Sequence, residues 1–82
     1  MGANFELRQA VARVIVEAFH AGAASISGQQ ITALVRQRGL AVEHRAVLRT
    51  LEALELLGCV RLAKTYQENV VTTIYPALAD FL

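Results

Sequence analysis

The amino-acid sequence predicts an α+β fold that is mainly α, with three helices followed by a C-terminal β-hairpin. Three observations carry this expectation. Apolar residues recur at intervals of three and four through residues 4–57, the spacing changes to alternation near residue 60, and a glycine stands where each helical stretch ends, at Gly22, Gly39 and Gly58. With 82 residues the chain can build one hydrophobic core but not two, so residues 1–82 read as a single domain.

The first helix is expected over residues 4–21, with Asn4 as its N-cap and no Gly or Pro before its end. Leu7, Val11, Val14, Ile15, Ala18 and Phe19 form its inward stripe, while Glu6, Arg8, Arg13, Glu17 and His20 face water. Phe5, Ala12 and Val16 lie off the stripe, so this helix is apolar around much of its girth and wants contacts on two sides. Ser25–Ile26–Ser27 reads as a short extended piece. Ser27 and Gln30 then match the S/T-x-x-E/Q capping box of a second helix over residues 28–38, with Ile31, Leu34 and Val35 on its inner face. Gly39 stops that helix, and a tight connection through Leu40 and Ala41 leads into a third over residues 42–57, whose Val47, Leu51, Leu54 and Leu57 face inward.

A hairpin follows over residues 59–75. Val60 and Leu62 point to one face and Arg61 and Ala63 to the other, Tyr66–Gln67–Glu68–Asn69 is turn-like, and Val70 to Tyr75 is the β-branched return strand. Pro76 removes a backbone donor and ends the strand. Residues 77–82 form a last turn whose Leu78, Phe81 and Leu82 cover the core or a neighbouring subunit.

The composition is 55% hydrophobic and 18% charged, against about 45–50% and about 25% in ordinary globular domains, which argues against disorder. A domain this small has an unfavourable ratio of surface to volume, so part of the apolar area is expected in an interface. A net charge of +1 does not decide the partner. Charge interrupts every apolar run before the ~18 residues that a bilayer span needs, so no membrane segment is expected. A lone Cys59 and the lack of a charged segment leading into an apolar one at the start favour a reducing cytoplasm. Cys59, His20 and His44 show none of the paired spacing of a metal site, and Cys59 reads as core. The chain has no Gly-x-Ser-x-Gly elbow, Gly-rich phosphate loop or close carboxylate pair, so neither enzymatic activity nor a cofactor is expected.

The stretch SGQQITALVRQRGL, from Ser27 to Leu40, followed by HRAVLRTLEALELLGCVRL, from His44 to Leu62, resembles the winged helix-turn-helix transcription regulators. The resemblance lies in a capped second helix, a third helix ending in L-x-x-L-x-x-x-G and a strand that follows at once; with helix one and the final turn it covers nearly the whole chain. It implies a small regulator of double-stranded DNA whose third helix enters the major groove and presents His44, Arg45 and Arg49. It further implies that Arg36 and Arg38 neutralise phosphates and that Arg61 and Lys64 do so from the wing. Phe5, Val16, Phe81 and Leu82 together suggest a homodimer seam, and the resemblance adds support because members commonly dimerise through terminal helices.

The sequence departs from the family pattern at Leu48, where DNA-reading members more often place a small or polar residue, and at Glu43, where a Ser or Thr cap is common. The expected wing tip, Gln67–Glu68–Asn69, carries no Arg or Lys. These departures favour an alternative in which the domain is a protein-interaction module, an adaptor or inhibitor of another regulator, anchored by Leu48 and helix one. Arg45 and Arg49 are also spaced to pair with Glu52 or Glu55 as ordinary surface charges.

Overall fold

A computed structural model describes residues 2–82 and begins with helix α1, Gly2–His20. The helix starts before the expected cap, which places Asn4 inside it. Val11, Val14 and Ile15 are buried along the expected stripe, with Leu7, Ala18 and Phe19 packed beside them. The second apolar side also finds cover, since Ala12 is fully buried and Val16 half-buried. Along that side runs a C-terminal 3-10 helix, Pro76–Phe81, tied down where Gln9 Nε2 and an Arg13 guanidinium nitrogen donate to the Leu82 carbonyl at 3.2 and 3.1 Å. Pro76 occupies the start of that 3-10 helix, where its missing N–H leaves no bond unmade.

Strand β1, Ile26–Ser27, leads directly into helix α2, Gly28–Gln37. The capping box forms as expected: Ser27 Oγ accepts from the Gln30 N–H at 3.2 Å and Gln30 Oε1 accepts from the Ser27 N–H at 2.9 Å. A side-chain cap of this kind is worth about 1 kcal/mol. At the other end Gly39 takes a left-handed backbone, φ 94°, so that its own N–H reaches the Arg36 carbonyl and the Leu40 N–H the Val35 carbonyl. A side chain on residue 39 would strain this turn.

The connection to the next helix is longer than the expected tight turn and runs from Arg38 to Glu43, with Leu40 and Val42 packed partly buried against the core. Helix α3 therefore spans His44–Leu56 rather than residues 42–57, and extended Glu43 is its cap residue without a side-chain cap bond. Val47, Leu51 and Leu54 are fully buried as expected, but Leu57 is 52% exposed. The reason is the helical period: the stripe continues to position 58, so Leu57 falls beside it. Gly58, at φ 75°, closes the helix with a left-handed turn, and the Cys59 N–H reaches the Leu54 carbonyl at 2.9 Å.

Strands β2, Val60–Lys64, and β3, Asn69–Ile74, make the hairpin, and β3 also pairs with β1, giving an antiparallel sheet of order β1-β3-β2. Val60 faces the core and Arg61 faces water, as the alternation predicts. Val71 and Ile74 both serve the core although a regular strand would place residues three apart on opposite faces. A bulge resolves this, because Arg61 pairs with Thr73 while Leu62 pairs with Val71, leaving Thr72 as the extra residue. Asn69 belongs to β3 and is buried, not part of the turn as expected. The tip is Thr65 to Glu68, closed by the Thr65 N–H donating to the Glu68 carbonyl at 2.8 Å, with Tyr66 98% exposed.

Every element contributes to one core, from Val11 and Ile15 through Ile26, Ile31, Val35, Val47, Leu51, Leu54, Val60 and Val71 to Leu78. Each such side chain stabilises the fold by about 1.5–3 kcal/mol through loss of apolar contact with water. Cys59 belongs to this core, where burial, aided by the Asp80 carboxylate, pushes its thiol above the ordinary cysteine range. Among the described residues no helix is long and apolar enough to cross a membrane.

Candidate functional site

The inner stripe of α3 leaves Arg45, Arg49, Glu52 and Leu56 along its opposite, exposed ridge. Among the described residues the guanidinium groups of Arg45 and Arg49 have neither an ion pair nor a hydrogen bond. The nearby acidic residues turn elsewhere: Glu52, three residues on from Arg49, and Glu55 each lie 3.8 Å from Lys64 Nζ, and Glu55 Oε2 also accepts from the Leu62 N–H at 3.1 Å. These carboxylates dock α3 onto β2 and leave the arginines uncompensated.

The remaining residues that the sequence pointed to divide sharply. Arg61 is exposed on β2 and its guanidinium is likewise unpaired among the described residues. Arg36 instead spends its Nε–H on the Val42 carbonyl at 2.8 Å, bracing the connection between α2 and α3. Arg38 pairs with Glu17 of α1 and holds that carboxyl below the usual carboxylate range. Lys64 bridges to α3 as described. His44 does not lie on the exposed ridge with Arg45 and Arg49; its Nε2 sits 3.4 Å from Glu68 Oε1.

Glu68 is the centre of a contact that sequence spacing did not indicate. Its side chain, only 16% exposed, folds back from the hairpin tip so that Oε2 accepts from the Gln29 N–H at 3.1 Å and Oε1 from the Asn69 N–H at 3.0 Å. The first of these places a carboxylate at the positive end of α2. Gly28 makes room for it, since a Cβ there would lie 2.6 Å from Leu48 Cδ2 and 2.7 Å from Glu68 Oε1. Leu48 is thus a half-buried packing residue against Gly28 and the core, not an outward anchor.

Arg8, read from sequence only as a water-facing residue of α1, shares a groove with Arg49, lined also by Leu7, Ala46, Thr50 and Ala53. The four seam residues split: Phe5 is 54% and Leu82 44% exposed, while Val16 and Phe81 are half-buried against the core of their own chain. Beside them Val16, Ile74, Tyr75, Pro76, Leu78 and Leu82 line a mainly apolar groove. At the far end of α3, Leu56 is 89% exposed. Among the described residues no group of three or more His, Cys, Asp or Glu is placed to hold a metal ion.

No model of a known protein family matches the chain, and no curated protein or solved structure matches it.

Proposed function

We propose that this chain is a winged helix-turn-helix domain that binds double-stranded DNA, a small transcription regulator acting as a homodimer. The carrying observation is Arg45 and Arg49 on the exposed ridge of α3, both unpaired among the described residues. Consistent support comes from the order of elements, helix, short strand, helix, helix, hairpin, and from exposed Arg61 on the hairpin. In this reading α3 lies in the major groove, Arg45 and Arg49 contact guanine edges or flanking phosphates, and Arg61 meets the backbone from the wing. His44, Arg36 and Lys64 act indirectly by holding α3 and the hairpin in place, and Arg38 ties the end of α2 to Glu17 of α1.

The test is a fluorescence-anisotropy titration of a mixed-sequence duplex at low salt. The native chain is expected to bind, with affinity falling steeply as salt rises, and the Arg45→Ala, Arg49→Ala double variant to lose most of that affinity and about two units of the log–log salt slope. Binding that is absent, or equal in the double variant, removes the reading.

The homodimer is proposed to form over exposed Phe5, Leu82 and the apolar groove beside Val16. Light scattering is expected to report twice the chain mass, and Leu82→Asp with Phe5→Asp to return it to the monomer. A monomer mass at every concentration rules the seam out.

A second reading, a protein-interaction module, is favoured by Leu56 and Leu57, whose exposure at the end of α3 leaves an apolar step that DNA contact does not use. Leu56→Ala separates the two, because it removes the apolar step without adding charge and should leave duplex affinity nearly unchanged if α3 reads DNA through Arg45 and Arg49.

A further inference from the structure

Arg8 on α1 and Arg49 on α3 line one groove together with Leu7, Ala46, Ala53 and buried Thr50. Arg8 is half-buried and Arg49 exposed, and among the described residues neither guanidinium meets a carboxylate or carbonyl oxygen. Like charges lining one partly apolar groove repel, and an anion between them relieves that repulsion. A guanidinium offers a planar fork of donors that matches an oxyanion, whereas Thr50 already donates its hydroxyl to the Ala46 carbonyl at 2.9 Å. Charge recognition therefore falls to the two arginines.

Size narrows the ligand. The groove holds about 240 Å³, less than the ~300–1,000 Å³ of sites that enclose drug-sized molecules. The part of a ligand seated in the groove is therefore about one ring or a short chain.

We propose that this groove binds a small organic oxyanion, a carboxylate or phosphate monoester, with its head between Arg8 and Arg49 and its compact apolar body on Leu7, Ala46 and Ala53. Arg49 also stands on the ridge assigned to DNA, so the bound anion withdraws one cation from the duplex. That consequence rests on the DNA reading, while binding of the anion does not.

The experiment follows backbone amide resonances of the full chain during titration with benzoate, phenyl phosphate, benzyl alcohol and inorganic phosphate. Benzoate or phenyl phosphate should shift Ala46, Thr50 and Ala53 saturably, and the neutral alcohol and the bare phosphate should bind about tenfold more weakly or not at all. Arg8→Ala and Arg49→Ala should each weaken the organic anion about tenfold, while Arg13→Ala, on another side of α1, should leave its affinity unchanged. Equal binding of benzoate and benzyl alcohol, or shifts that persist in the Arg8→Ala, Arg49→Ala double variant, overturns the proposal. If organic anions bind and no duplex does, the groove assignment stands and the DNA reading falls; if duplex binds and no organic anion shifts these amides, only the groove assignment falls.

Discussion

Leu51→Ala is expected to destabilise the chain by about 2–5 kcal/mol, read as a lower urea midpoint at nearly constant slope. Leu51 is fully buried in the middle of the inner stripe of α3, between Val47 and Leu54. Removing its isobutyl group loses apolar burial and leaves a space that helices packed on several sides close only partly. For 82 residues, total stability is of the order of 5–10 kcal/mol, so this one change consumes a large fraction of it. Because the same helix carries Arg45 and Arg49 on its opposite ridge, any duplex binding should weaken in parallel near the unfolding midpoint, and only there. A loss below about 1 kcal/mol would show that α3 is not seated on the core as described.

Glu68→Ala should cost about 1–3 kcal/mol, because a largely buried carboxylate that accepts from the Gln29 and Asn69 amides and lies beside His44 is removed. The effect has a local signature. Hydrogen exchange at Gln29 should accelerate and protection across β2 and β3 should fall, while the interior of α1 keeps its protection. Glu68→Gln, which retains one acceptor oxygen, should lie between the native chain and the alanine variant. Unchanged exchange at Gln29 in the alanine variant would mean that the hairpin tip is not anchored to α2.

Much of the architecture was legible before the structure, and the legible parts are local. The Ser27–Gln30 box involves residues three apart, and the stops at Gly39 and Gly58 depend on the backbone freedom of a single residue. The buried faces of α1, α2 and α3 follow from helical period alone. Misplacements arose where local signals conflict with packing. Val42 looks like the first turn of a helix, yet it is held in an extended connection, its carbonyl taken by Arg36 and its side chain packed on the core. Asn69 has turn chemistry, yet β3 continues through it opposite Lys64.

The candidate site was legible to a lesser degree. That Arg45 and Arg49 point outward follows from their angle to Leu51 and Leu54. That Arg36, Arg38, Lys64 and His44 are engaged does not, since each partner is chosen by the way elements pack. Arg38 reaches across 21 positions to Glu17 and His44 across 24 to Glu68. The departure at Leu48 finds its explanation in the same way, because Gly28 opens the space that Leu48 and Glu68 share.

The sequence by itself therefore determined the cap of α2, the stops at Gly39 and Gly58, most of the faces that turn inward and which two arginines stand on the outer ridge of α3. Tertiary structure alone decided which charges remain unpaired, where β3 bulges, and that the apolar far side of α1 is covered by the chain's own final turn. The physical reason is range: dihedral preference and helical period act within a few residues, whereas ion pairing and burial depend on neighbours that only folding brings into contact.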